Sequence, residues 1–236
     1  MKTIGLIGGM SWESTLSYYQ AINLGVKERL GGLHSAKLVM VSVDFAEIEK
    51  MQHAGDWAAT AEVLINAAKS LEAASADGFI ICTNTMHKVA EQVAAEVGIP
   101  LLHIAEATAE VLKRDGLSRV GLLGTGFTME QEFYKNRLIQ NAIDVLIPDQ
   151  QQRDLVHSVI YQELCLGNIR PESKKAYLEI VQSLASRGAE AVILGCTEIG
   201  LLIQQVDTSV ALYDTTKIHA EAAVEFMLGK QSAPNL

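Results

Sequence analysis

Short apolar runs of β type alternate with longer stretches in which apolar positions return every three or four residues, almost from one end of the chain to the other. The runs predict strands at Thr3–Ile7, Lys37–Val43, Gly78–Ile81, Leu101–His103, Arg119–Leu123, Ala142–Leu146, Ala191–Leu194 and Val210–Tyr213. The periodic stretches predict helices near Ser14–Arg29, Trp57–Ala73, Met86–Val97, Thr128–Ile139, Asp154–Leu164, Ser173–Ser186 and Lys217–Met227. Strands that are continuously apolar, with no polar alternation, are buried on both faces, as in parallel sheets covered by helices. The predicted fold class is α/β.

The pattern also repeats. Leu71-Glu-Ala-Ala-Ser-Ala-Asp-Gly-Phe-Ile-Ile-Cys-Thr83 aligns without a gap on Leu184-Ala-Ser-Arg-Gly-Ala-Glu-Ala-Val-Ile-Leu-Gly-Cys196, an offset of 113 residues. Lys2-Thr-Ile-Gly-Leu-Ile-Gly8 aligns on Ser118-Arg-Val-Gly-Leu-Leu-Gly124 at an offset of 116. Two pseudo-symmetric domains are therefore expected, 1–117 and 118–236, each a short, mainly parallel sheet flanked by helices, with the C-terminal helix free to cross over. No Pro/Ser-rich linker separates them, which predicts intimate packing. Ligands of open α/β sheets sit beyond the carboxyl ends of strands. The turns at Gly8-Gly-Met-Ser-Trp, Thr83-Asn-Thr, Gly124-Thr-Gly and Gly195-Cys-Thr-Glu all fall there, and the expected active site is the inter-domain cleft. Two turns aimed at one substrate from opposite sides is the geometry that inversion of a carbon centre requires.

Composition narrows the class. With 49% hydrophobic, 20% charged and 6% aromatic residues the 236-residue chain reads as a globular protein. A net charge of −9 argues against nucleic-acid and anionic-membrane partners, which would be repelled. The first apolar run is broken early by Gly8-Gly9 and reads as a strand and not as a signal peptide. No run of about 18 apolar residues is long enough to span a bilayer, so a cytoplasmic location is expected. Three cysteines, Cys82, Cys165 and Cys196, with no Cys-x-x-Cys spacing make a disulfide framework or zinc site a poor fit.

Candidate chemistry sits in two turns. Cys196 reads either as an inert core thiol or as a reactive one. Gly195 would admit a ligand, and a helix starting at Thr197 or Glu198 would lower the thiol pKa from about 8.5 toward neutrality. Thr83-Asn84-Thr85 reads as a helix cap and, with the same geometry, as a carboxylate-binding turn. Cys82 precedes Thr83 on a strand, faces the other way and reads as core. His87 is a supporting candidate behind the turn. Gly124-Thr-Gly126 lacks a third glycine, Met129 standing in its place, so a nicotinamide site is not expected.

Gly8-Gly9-Met10-Ser11, Thr83-Asn84-Thr85-Met86-His87 and Gly195-Cys196-Thr197-Glu198 together resemble the aspartate/glutamate racemase family over almost the whole chain, with the nearest look to its bacterial broad-specificity amino-acid racemase branch. The resemblance implies two pseudo-symmetric α/β domains, commonly in a homodimer, and racemisation without pyridoxal phosphate, metal or other cofactor, using two cysteines on opposite faces of the α-carbon. The Gly-Cys-Thr-Glu ending resembles the aspartate side of the family. Carried onto this chain, the resemblance makes Cys196 and Thr83 the catalytic pair, Gly9, Met10, Asn84, Thr85, Thr197 and Glu198 substrate-binding, and His87 and Cys165 supporting residues.

Two departures stand out. The family's first cysteine, in Cys-Asn-Thr-x-His, falls on Thr83, whose hydroxyl is a far weaker acid than a thiol. The lysine of the family's Glu-Leu-Lys-x-Gly falls on Cys165 in Glu163-Leu-Cys-Leu-Gly167, and Asp44-Phe-Ala-Glu-Ile-Glu49 lacks the arginine expected there. Both lysine and arginine would hold a substrate side-chain carboxylate. Aspartate or glutamate remains the default substrate, with neutral and polar amino acids added. Two other readings stay open: a one-cysteine relative, such as a decarboxylase or isomerase of a dicarboxylic acid, and a non-catalytic amino-acid-binding protein.

Overall fold

The computed structural model describes residues 1–229. In chain order the elements are β1 (Ile4–Gly8), α1 (Trp12–Leu30), β2 (Leu38–Ser42), α2 (Phe45–Ala54), α3 (Trp57–Ala73), β3 (Gly78–Ile81), α4 (Ala90–Ala94), α5 (Ile104–Arg114), β4 (Arg119–Gly124), α6 (Gly126–Glu130), α7 (Glu132–Gln140), β5 (Asp144–Leu146), α8 (Gln150–Gln162), α9 (Pro171–Ser186), β6 (Ala191–Gly195), α10 (Ile199–Leu202), β7 (Ala211–Asp214) and α11 (Thr215–Leu228). Short 3-10 turns lie at Thr85–Val89, Leu164–Leu166 and Gln205–Asp207. Among the described residues no helix is long and apolar enough to cross a membrane.

The strands form two parallel sheets, ordered β2-β1-β3 and β5-β4-β6-β7. Their registers carry the sequence repeat into three dimensions. Ile4 pairs with Gly78 in the first sheet and Val120 with Ala191 in the second, which are the same two strands displaced by 116 and 113 residues. The glycine of each central strand has the same job. A Cβ on Gly5 would stand 2.9 Å from Leu71 Cδ1 of α3, and one on Gly121 would stand 2.9 Å from Leu184 Cδ1 of α9. Each helix thus lies directly on its strand because the strand offers no side chain at the crossing.

Successive strand residues face opposite sides, so each sheet has two cores. In the first sheet Ile4, Leu6, Ile80 and Cys82 pack against α1 and α11, while Ile7, Phe79 and Ile81 pack against α3. In the second, Leu123, Val192 and Leu194 pack with α8 and α9, and Val120, Leu122, Ala191 and Ile193 pack with α5 and α7.

The described residues divide into two compact units, Met1–His103 with residues 219–229, and Ile104–Ile218. The boundary differs from the expected 117–118. Helix α5 buries Ile104, Ala105, Ala109 and Leu112 against the second sheet, and α11 from Ala220 on buries its apolar face in the first unit.

Local departures from the expected elements have identifiable causes. Leu101–His103 makes a single bridge, Leu101 to Phe79, before α5 begins at once. The helix expected over Met86–Val97 is a 3-10 turn followed by the short α4. The one expected over Thr128–Ile139 is split by Gln131, whose backbone is extended (φ −85°, ψ 153°). The strand expected from Ala142 starts at Asp144, because Ala142 takes a left-handed φ of 61° after α7.

Candidate active site

The first unit contributes two adjacent turns at the carboxyl ends of β1 and β3, which are tied by the Cys82 N–H donating to the Ile7 carbonyl at 2.9 Å. Gly9 has a positive φ of 94°, and a Cβ there would run into the Val43 backbone, so only glycine fits. Its N–H donates to Thr15 Oγ1 at 2.8 Å, and Met10 is buried in the core with Ile7. Ser11 caps α1 by accepting from the Ser14 N–H.

In the second of these turns Asn84 and Thr85 are buried, whereas Thr83 is only partly so and is the more accessible member. His87 Nδ1 lies 2.8 Å from the Thr83 carbonyl oxygen. A carbonyl only accepts, so that nitrogen carries the hydrogen. Burial, then the neighbouring His103 and His219, hold the His87 pKa well below the usual histidine range. Cys82 faces the core with Tyr18, Ile22 and Val224, and burial pushes its thiol pKa far up. It is a packing residue, as its strand position suggested.

The second unit holds Cys196. Here β4 and β6 approach so closely at their carboxyl ends that a Cβ on Gly195 would stand 2.8 Å from the Leu123 carbonyl, and one on Gly124 at 2.8 Å from the Gly195 carbonyl. The turn after Gly195 is therefore held by main-chain packing. Cys196 Sγ lies 3.0 Å from Glu198 Oε2 and directs its proton to that oxygen, which also accepts from Thr197 Oγ1 at 2.7 Å. Glu198 is 2% exposed and Cys196 9%.

This geometry corrects the expectation that Cys196 would be acidified by a helix N-terminus. Its pKa is pushed well above the ordinary thiol value by burial first, then by the Glu198 charge and by Cys165. The helix beyond it, α10, has four residues and carries little dipole, while the carboxylate sits two residues away. At neutral pH Cys196 is a thiol whose proton already points at a base. Cys165 is partly buried against the core that contains Cys196. Tyr177, with its hydroxyl donating to the Val156 carbonyl at 2.9 Å, titrates high because of burial and the charges of Cys196, Glu163 and Cys165.

Gly9, Met10, Thr83, Asn84, Thr85 and His87 thus gather in one unit, and Cys165, Cys196, Thr197 and Glu198 in the other. Sequence reasoning missed Thr15, which anchors Gly9, and the buried Tyr18, His103 and His219 around His87. Thr15 was legible in principle, lying one helical turn past the Ser11 cap. The histidines carried no local signal, being 16 and 132 residues from His87 in sequence. Among the described residues no group of three His, Cys, Asp or Glu is arranged to hold a metal ion.

Comparison with known proteins agrees with a fold of two parallel sheets flanked by helices. The Asp/Glu/Hydantoin racemase family model matches residues 7–223. The chain is 25% identical over 173 residues to the broad specificity amino-acid racemase RacX of Bacillus subtilis (strain 168), covering 72% of this chain and 74% of that one. A Yersinia pestis crystal structure, provisionally assigned as an Asp/Glu racemase, superposes with a TM-score of 0.90 at 53% identity, covering 97% of this chain and 100% of the other. An aspartate racemase homologue from Pyrococcus horikoshii OT3 superposes with a TM-score of 0.84 at 36% identity over the same shares, 97% and 100%. This chain belongs to the Asp/Glu/hydantoin racemase family.

Proposed function

We propose that this chain is a cofactor-independent amino-acid racemase acting on aspartate or glutamate and, more broadly, on neutral and polar amino acids. The observation that carries the reading is the buried Cys196–Glu198 hydrogen bond, 3.0 Å from thiol sulfur to carboxylate oxygen. It supplies what a high-pKa thiol lacks, an immediate acceptor for its proton. In the proposed reaction Glu198 takes the thiol proton, and the Cys196 thiolate removes the α-proton. The resulting carbanion takes a proton on its other face from the Thr83 hydroxyl, which stands where the family resemblance places the second acid/base; water then reprotonates Thr83, and Glu198 gives its proton to solvent, which restores the starting state.

Asn84, Thr85 and Thr197 are proposed to hold the α-carboxylate and amino group, with the Gly9–Met10 turn closing over them. Hydrogen bonds aimed at the developing enediolate supply about 3 kcal/mol each when fixed in advance. The proposed assembly is a homodimer, as the family resemblance implies. Thr83 in place of a cysteine also favours a second reading, a one-cysteine decarboxylase or isomerase of a dicarboxylic acid, in which only Cys196 transfers a proton.

Chiral chromatography decides between them. Each enantiomer of aspartate, glutamate and homoserine is incubated with the protein and with Cys196→Ala. A racemase converts both enantiomers of at least one substrate to the same mixture, and the variant converts none. Turnover of arylmalonate or maleate without any amino-acid inversion would establish the second reading.

A further inference from the structure

Three histidines and a tyrosine are buried together in the unit that carries Thr83. Tyr18 Oη on α1 lies 2.9 Å from His219 Nδ1 on α11. His219 Nε2 lies 2.8 Å from the Leu102 carbonyl oxygen. The His87 ring is edge-on to His103, with centroids 4.6 Å apart, and to His219, with centroids 5.7 Å apart. Tyr18 and His219 are 0% exposed, His87 3% and His103 8%.

The main chain sets the tautomers. The Leu102 carbonyl can only accept, so the His219 hydrogen is on Nε2 and its Nδ1 accepts from the Tyr18 hydroxyl; the Thr83 carbonyl likewise places the His87 hydrogen on Nδ1. The result is two hydrogen-bonded segments in ring contact. One runs from Tyr18 through His219 to the Leu102 carbonyl, the other from His87 to the Thr83 carbonyl, and the His87 ring meets His219 and His103 edge-on between them. Aliphatic side chains would fill this space with no polar groups to satisfy, and buried polar networks generally add little net stability over such packing. What such hydrogen bonds and ring contacts add is orientation.

We infer that Tyr18 and His219 are positioning residues for the reaction: they fix the His87 ring and, through its bond to the Thr83 carbonyl, hold the Thr83–Asn84–Thr85 turn in its working orientation. The inference rests on the racemase reading above. It also gives α11 a task beyond packing, since this helix brings His219 back to the first unit across 201 residues of sequence from Tyr18.

The test uses the full chain and four variants, Tyr18→Phe, His219→Leu, His87→Phe and His87→Asn, with two readouts. In steady-state racemisation kcat falls about threefold in Tyr18→Phe and about tenfold or more in His219→Leu and His87→Phe, with KM nearly constant, as expected of a small misplacement of a reacting group. His87→Asn recovers most of the activity, because its amide N–H occupies the place of Nδ1–H. In ¹H–¹⁵N spectra the Thr83, Asn84 and Thr85 amides shift in the three impaired variants and stay near their native positions in His87→Asn.

Wild-type kcat in folded Tyr18→Phe and His219→Leu would overturn the inference. Equal losses in His87→Asn and His87→Phe would overturn it too. If the wild-type chain inverts no amino acid, the racemase reading falls by itself, and the amide signals decide the positioning claim: movement of the Thr83–Thr85 amides supports it, and unmoved amides in Tyr18→Phe and His219→Leu overturn it.

Discussion

Cys196 and Glu198 share one proton path: the thiol sulfur and carboxylate oxygen are 3.0 Å apart, both side chains are buried, and the carboxylate raises the thiol pKa while standing ready to take its proton. The two effects of one group separate experimentally. In Glu198→Gln racemisation falls about 100-fold, the size of a lost general base. Alkylation of Cys196 by iodoacetamide at pH 8 becomes faster in the same variant, because no carboxylate opposes the thiolate. Steady-state kinetics and a labelling time course check the pair of outcomes, and a common fall in both rates would contradict the assigned role.

In the proposed reaction Thr83 sets how evenly the two faces of the carbon are served. Thr83→Ala loses inversion but keeps exchange of the α-proton on the Cys196 side. Thr83→Cys, which supplies a far stronger acid, raises the ratio of inversion to exchange about tenfold or more. Chiral analysis combined with mass spectrometry in D₂O reads both quantities. An unchanged ratio in Thr83→Cys would remove Thr83 from the chemistry.

The repeat makes a prediction about stability. Gly5→Ala and Gly121→Ala each force a Cβ to 2.9 Å from a leucine Cδ1, overpacking equivalent crossings in separate cores. Each costs about 1–3 kcal/mol, and the double variant shows nearly the sum, since the sites share no partner. Urea unfolding of the three variants measures this, and a neutral Gly121→Ala would show that the crossing has slack.

Legibility in the sequence followed locality. Helix α3 was predicted with the bounds observed, Trp57–Ala73, because Asp56 caps it and its apolar face is regular. Strand β3 was equally clear, and the 113-residue offset located its partner in the repeat. Helix α5 was missed because Ile104 follows the apolar Leu101–His103 stretch with no turn residue to mark the change. Helix α2, capped by Asp44, is too short and too polar along Phe45–Ala54 to show a clear apolar face in the sequence. In the site, the Cys196 turn was legible as a motif, but its electrostatics were not: whether a nearby carboxylate or a short helix dominates depends on an Sγ–Oε2 distance that no pattern contains. The Tyr18–His219 contact spans 201 residues and is visible only in the folded chain.

Acid weakens the fold through the buried histidines. The His219 pKa is lowered by burial to about 4, below its unfolded value of about 6.5. Above pH 6.5 the ring is neutral in both states and costs nothing. Between 6.5 and 4 the unfolded chain binds the extra proton, so stability falls as pH falls, by about 2 kcal/mol between pH 6.5 and 5. His87, lowered in the same direction, adds to the slope. Denaturant titrations at pH 7, 6 and 5 check this, and a flat profile would show that the histidines titrate alike in the folded and unfolded chain.

The most direct test of the account is the early time course of α-deuterium incorporation in D₂O, starting from each pure enantiomer of aspartate, glutamate and homoserine, with Cys196→Ser as control. Enantiomers have equal free energy, so a racemase must show equal kcat/KM in the two directions. The account predicts that the product enantiomer carries solvent deuterium from the first turnover and that Cys196→Ser incorporates none. One starting enantiomer, the one whose α-proton faces Cys196, also gains deuterium without inverting, because Thr83 is the weaker donor. Absence of deuterium from every amino acid, or equal incorporation by Cys196→Ser, would contradict it.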